Sequence, residues 1–157
     1  MTRVRQGTTF SLYFPALAAG EKVAVTLEST SLQEGQGQLV LVVEDNPAIR
    51  QALVGSLGFM NYEVIEAING REALTILETR ASDIDLVLSD VVMPEMGGIA
   101  LLHAIRQRKL EIPVVLLTGH PLSREMENLQ ALGLAGWLPK PPTLVNLSKL
   151  LAQVLAP

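Results

Sequence analysis

Short apolar runs alternate with stretches in which apolar residues recur every third or fourth position, five times over between Gln38 and Leu155. The runs Leu39–Val43, Tyr62–Ala67, Leu86–Ser89, Val114–Leu117 and Ala135–Leu138 are bounded by turn residues, and they predict strands of a parallel sheet. The intervening helical spacing predicts helices over Pro47–Leu57, Arg71–Thr79, Gly98–Gln107, Ser123–Leu132 and Thr143–Leu155. Asn46-Pro47 is a good helix start, with Asn as the N-cap and Pro at the first helical position. In the last helix Leu144, Leu147, Leu151 and Val154 form one apolar stripe. Strict strand-helix alternation implies right-handed crossovers and hence an α/β fold, a doubly wound five-stranded parallel sheet with helices on both faces.

Before Gln38 the pattern changes. Phe10, Leu12 and Phe14 alternate with Thr9, Ser11 and Tyr13, the period of a half-buried strand. Arg3 and Arg5 ahead of this stretch and Ala16-Leu17-Ala18-Ala19 behind it have the outline of a secretory leader. Thr8, Thr9, Ser11 and Pro15 interrupt what should be a continuous apolar core, so we read a strand instead. Residues 16–37 carry Glu-Ser-Thr-Ser and Glu-Gly-Gln-Gly with few large apolar groups, the composition of a linker. The expected division is a strand segment at 1–15, a linker at 16–37 and the α/β domain at 38–157. A lone strand cannot satisfy its own backbone, so residues 1–37 are expected to add little stability.

Composition narrows the function classes. A chain of 157 residues can bury a self-sufficient core. The net charge of -4, without any Lys/Arg cluster, argues against nucleic acid as a direct partner. Cysteine is absent, which excludes disulfides and thiolate metal sites and fits a reducing compartment. The longest apolar runs are too short to span a bilayer. We therefore expect a cytoplasmic segment that does not itself touch the membrane, even if a parent protein is anchored there.

Four of the five predicted strands run into polar or reactive groups: Glu44-Asp45, Asp90, Thr118-Gly119 and Lys140-Pro141. A strand-end aspartate often does no more than cap a turn. In a doubly wound sheet, however, these termini share one edge, so three carboxylates, a hydroxyl and an ammonium should converge near the switch point. Clustered carboxylates repel one another, and oxygen donors without His or Cys favour a hard cation such as Mg²⁺. Magnesium beside a carboxylate and a lysine is equipment for phosphoryl transfer, and a carboxylate can serve as the nucleophile. Asp90, on the central third strand, is the candidate nucleophile.

The Glu44-Asp45 pair, Asp90 followed by Met93-Pro94 and Gly98, then Thr118 and Lys140-Pro141, closely resemble the receiver domains of bacterial two-component response regulators. The resemblance covers about residues 38–155 and implies their flavodoxin-like fold. It implies that Asp90 accepts a phosphoryl group from a phosphohistidine of a histidine kinase or histidine phosphotransfer domain. Asp45 and Asp90 would hold Mg²⁺, with Glu44 acting through its water shell and the Val92 carbonyl as a further ligand. Lys140 would pair with the phosphoryl oxygens, Thr118 would bond one of them, and Trp137 would fill the aromatic switch position. The bland alternative for Trp137 is fixed partial core. Lys140-Pro141 becomes a candidate cis peptide. Gly97 stands where the family often has Asp or Asn, and Gly119 where Ala is usual. Val92 and His120 flank the expected phosphoryl position; His120 is read as a solvated loop histidine and His103 as a helix-face residue without chemistry.

Gly7-Thr8-Thr9-Phe10-Ser11-Leu12-Tyr13-Phe14-Pro15 looks like the closing strand of a histidine-kinase ATP-binding domain. That resemblance implies that residues 1–15 are the tail of such a domain and that the chain comes from the C-terminal part of a hybrid sensor histidine kinase. A second copy of the chain is a further candidate partner. Two competing functions share the fold class. One is a non-phosphorylated interaction module, against which the complete acidic set, Thr118 and Lys140 all argue. The other is a Mg²⁺-dependent phosphatase with an Asp nucleophile; those families place a second Asp two residues on, where this chain has Val92.

Overall fold

The apolar runs form strands, and the strand order accounts for their composition. The structure is a computed structural model that describes residues 32–119 and 126–156. In chain order the elements are β1 (Leu39–Val43), α1 (Pro47–Phe59), β2 (Glu63–Ala67), α2 (Gly70–Arg80), β3 (Leu86–Asp90), α3 (Gly98–Gln107), β4 (Val114–Thr118), α4 (Met126–Ala131), β5 (Leu134–Pro139) and α5 (Leu144–Val154). The five strands lie in the order β2-β1-β3-β4-β5, every neighbouring pair parallel. The inner strands β3 and β4 are buried at every position, whereas the edge strands β2 and β5 carry exposed Glu63, Glu66, Ala135 and Pro139. Proline is tolerated at an edge because no ladder bond has to be made there.

Alternation along β1 sorts its side chains onto two cores. Leu41 and Val43 pack with Leu74, Leu77, Leu101 and Ile105 under α2 and α3, and Leu129 joins them from α4. Val40 and Val42 face the opposite way, onto Leu53, Leu57, Leu147 and Leu151 of α1 and α5. The helix starts follow the caps: Asn46 accepts the amides of Ala48 at 2.9 Å and Ile49 at 3.2 Å, and Asn69 accepts that of Glu72 at 2.9 Å. Because Asn69 is the cap, α2 begins at Gly70, one residue before the expected Arg71. Tyr62 stays out of β2 because its amide is donated to Leu57 O, 3.0 Å away, closing the last turn of α1. The helix α4 ends at Ala131, short of the expected Leu132, where Gly133 takes a positive φ of 89°. Its expected start at Ser123 lies outside the described residues, as do His120 and the strand expected at residues 10–14.

Residues 33–37, in the stretch expected as linker, are fastened to the domain. Gln33 exchanges backbone bonds with the buried Ser148 hydroxyl, its N–H donating at 2.7 Å and its carbonyl accepting at 3.1 Å. Gly35 donates to Met60 O at 2.8 Å and Gly37 to Asn61 O at 3.0 Å, while Asn61 Nδ2 donates to Gly35 O at 2.8 Å. A Cβ on Gly35 would stand 2.6 Å from the Tyr62 ring, so the strap lies flat on that ring. Residues 1–37 are expected to add little stability, and the contacts of residues 33–37 are where such a contribution would arise.

Candidate active site

Parallel strands bring their carboxyl ends to one rim, and the register sets which side chains meet there. Val43 is level with Ser89, and Asp90 with Leu117, so Glu44, Asp90 and Thr118 emerge at neighbouring strand ends. Lys140 arrives from β5, its amide donating to Thr118 O at 2.8 Å. The Lys140-Pro141 bond is cis, as the resemblance implied.

Glu44, Asp45 and Asp90 each offer a carboxylate oxygen to a common cluster, with these atoms within 4.8 Å of one another. Glu44 and Asp90 are buried, and Asp45 is open to solvent. The ammonium of Lys140 bridges the two inner acids, 2.6 Å from Glu44 Oε2 and 2.8 Å from Asp90 Oδ2. Burial alone would lower its pKa, but hydrogen bonds and charge from Asp90 and Glu44 outweigh burial and hold it above the ordinary lysine value. Three carboxylates against one ammonium leave a formal charge of about -2 in the cluster, the charge that a divalent cation cancels. The donors are oxygen alone, and one acid faces solvent, so the residues fit a hydrated Mg²⁺.

Two glycines set how α3 approaches the rim. A Cβ on Gly98 would overlap the carbonyl of Asp90, and one on Gly97 the carbonyl of Val91. Gly98 N–H also donates to Val91 O at 3.1 Å. The backbone thus turns tightly behind Asp90, and the Val92 amide donates to Asp90 Oδ1 at 3.3 Å. Val92 itself is 73% exposed beside the cluster. Thr118 is buried, and Trp137, level with Leu116 on β5, is 39% exposed. His103 is an exposed residue of α3.

Arg50 was not singled out from the sequence. Its guanidinium donates to Glu44 O at 2.8 Å and Asp45 O at 3.4 Å, and pairs with Glu66 at 3.0 Å. It thereby fixes the backbone that carries two of the acids. One sequence signal pointed to it: a cation in the first turn of a helix opposes the helix dipole and needs a local anionic partner.

The sequence profile of the response regulator receiver domain matches residues 40–152. The chain belongs to the receiver domain family. Sensor kinase CckA of Brucella abortus is 36% identical over 165 residues, covering 98% of this chain and 17% of the kinase. Sensor histidine kinase RcsC of Salmonella typhi is 41% identical over 114 residues, covering 73% of this chain and 12% of the kinase. The chain thus spans a small part of the curated relatives it matches. Among solved structures, the chemotaxis protein CheY4 of Vibrio cholerae superposes with a TM-score of 0.69 at 35% identity, covering 76% of this chain and 99% of that one. The five-stranded receiver fold and a phosphoacceptor role in signal transduction follow from membership. Among the described residues, no helix is long and apolar enough to cross a membrane.

Proposed function

We propose that Asp90 takes a phosphoryl group from a phosphohistidine in a Mg²⁺-dependent reaction, and that the resulting aspartyl phosphate switches the conformation of the β4 and β5 ends. The observation that carries this reading is the bridging of Asp90 and Glu44 by Lys140 at the end of the central strand. A carboxylate oxygen of Asp90 attacks phosphorus, the P–N bond breaks, and the imidazole nitrogen keeps the electron pair and is then protonated. Lys140 is positioned to bond the oxygens of the transferring group, and the Thr118 hydroxyl to hold one of them afterwards. Glu44, Asp45, Asp90 and the Val92 carbonyl would hold Mg²⁺, which supplies neutralising charge to the phosphoryl oxygens. The exposed Val92 offers no proton-transfer group where the Asp-nucleophile phosphatases have their second acid, which favours an acceptor over a turnover enzyme.

The phosphodonor is a histidine kinase or a histidine phosphotransfer domain, and the parent protein is a cytoplasmically disposed hybrid sensor histidine kinase. Support comes from the CckA match, which at 98% of this chain runs on past the receiver into the residues before 38. In that reading residues 1–15 end an ATP-binding domain, 16–37 link it, and 38–157 form the receiver. Incubation with acetyl phosphate and Mg²⁺ followed by intact mass should give a single phosphate adduct on the wild type and none on Asp90→Asn. Undiminished labelling of that variant overturns the assignment.

A further inference from the structure

One nitrogen of Arg50 holds the backbone on both sides of Asp45. The Glu44 carbonyl belongs to the peptide unit that leads into Asp45, and the Asp45 carbonyl to the unit that leads out of it. Arg50 Nη1 donates to the first at 2.8 Å and to the second at 3.4 Å. Two rigid peptide planes meet at the Asp45 Cα, so fixing them fixes the direction of its Cα–Cβ bond. The neighbouring acid is placed differently. Glu44 has its carboxylate held directly, by the Asn46 amide at 3.2 Å and by Lys140 at 2.6 Å. Among the described residues, the Asp45 carboxylate has no such hydrogen bond and depends on its backbone for its aim.

The guanidinium is anchored at its other end as well. Arg50 Nε donates to Glu66 Oε2 at 3.0 Å, and the same oxygen accepts from Gln51 Nε2 at 3.0 Å. The Arg50 amide donates to Asn46 O at 2.9 Å, the first backbone bond of α1. Glu66 is level with Val42 on the edge strand β2, so the chain of contacts runs from that edge through α1 to the rim. Its carboxylate also neutralises a cation that would otherwise stand beside the acids and repel a metal ion.

On the Mg²⁺ reading of the cluster, we propose that Arg50, held by Glu66, is the positioning residue that aims Asp45 and thereby sets the affinity for the cation. A partly exposed ion pair adds little stability, and a cation in the first turn of a helix opposes its dipole, so neither effect gives Arg50 a use in holding α1 together. Partners that orient a metal ligand, by contrast, are worth about tenfold or more in metal affinity. Charge and position also predict opposite signs. Acting as a bare positive charge near the acids, Arg50 would weaken cation binding, and its removal would strengthen it. Acting as the support of Asp45, its removal weakens binding.

The test is a titration of the full chain with MgCl₂, followed by amide chemical shifts. Arg50→Met should raise the Mg²⁺ Kd about tenfold, and Glu66→Ala, which leaves α1 unaltered, about threefold. Added to Asp45→Ala, Arg50→Met should change Kd by less than about twofold, because the residue it supports has lost its carboxylate. A lower or unchanged Kd in Arg50→Met overturns the proposal, as does an equal loss with and without the Asp45 carboxylate, the mark of a general structural effect. The metal-free proteins give an independent readout: in Arg50→Met the heteronuclear NOE of the Asp45 and Asn46 amides should fall while those of Ser89 and Asp90 stay. Unchanged values at Asp45 and Asn46 refute the positioning. A wild type without Mg²⁺-dependent shifts overturns the metal reading and this proposal together, whereas a wild type that binds no better than Arg50→Met overturns this proposal alone.

Discussion

The ammonium of Lys140 and the carboxylate of Glu44 meet at 2.6 Å across 96 positions of sequence, and Glu44 is almost wholly enclosed at that contact. Glu44 follows the inner strand β1 and Lys140 the edge strand β5, so the pair reports whether those two strands are correctly assembled on either side of β3 and β4.

Lys140 gives the fold a stability limb at high pH. Its folded pKa stands above the 10.5 of an ordinary lysine, so its contribution is complete below that value and is lost as pH rises through the folded one. Urea midpoints of the wild type should therefore fall above about pH 10.5, and those of Lys140→Met should lack that component. At neutral pH the substitution should cost about 2 kcal/mol, less than for a fully enclosed pair because the lysine is partly solvated. Parallel pH profiles for the two proteins would show that the bridge contributes nothing.

Asp45 is the acid of the cluster that faces solvent, where a hydrated cation enters. Asp45→Ala should weaken Mg²⁺ binding at least about tenfold in calorimetry while leaving the melting temperature without metal nearly unchanged. Equal affinities would remove Asp45 from the metal site.

Two glycines should respond in opposite directions to the same change. Gly98→Ala drives a Cβ into the Asp90 carbonyl and should destabilise by about 2 kcal/mol or more, with slower phosphoryl uptake as Asp90 is displaced. Gly55, exposed within α1 and with open space around its Cα, should gain about 0.5–1 kcal/mol as alanine. Thermal melts of both variants check the pair, and a stabilised Gly98→Ala would contradict the tight turn behind Asp90.

Trp137, the single tryptophan, is 39% exposed, whereas Thr118 at the neighbouring strand end is buried. If Thr118 is drawn toward a phosphoryl group, the vacated space can take the indole. Beryllofluoride with Mg²⁺ should then lower acrylamide quenching of Trp137, with no change in Asp90→Asn and a smaller one in Thr118→Ala. Unaltered quenching alongside a mass-confirmed phosphate adduct would leave Trp137 as fixed partial core.

The strands were legible because β1, β3 and β4 are enclosed on both faces, which leaves uninterrupted apolar runs in the sequence. The edge strand β2 was placed one residue early, since the apolar Tyr62 resembles a strand residue while its amide completes α1. The acids and the lysine were legible for a topological reason: parallel strands deliver all their carboxyl ends to one rim. Arg50 was harder, because its role lies in reaching the Glu44 and Asp45 carbonyls, of which its place near a helix start is only an indirect sign. The strap at 33–37 was hidden for the same reason. Most of its attachment is made by backbone atoms, and its Gly35 reads as a linker residue until the Tyr62 ring is seen beneath it.

The division of the interior into two cores makes the sheet a partition. Leu57 belongs to one side and Leu102 to the other, with no shared neighbour among the buried residues of the two clusters. Losses from Leu57→Ala and Leu102→Ala, each about 2–5 kcal/mol alone, should sum to within about 0.5 kcal/mol in the double variant. Paired truncations within one side, such as Leu57 with Leu151, should depart from additivity by more than that. Each face of such a domain can thus drift in sequence on its own schedule, tolerating replacements beneath α2 and α3 without renegotiating those beneath α1 and α5.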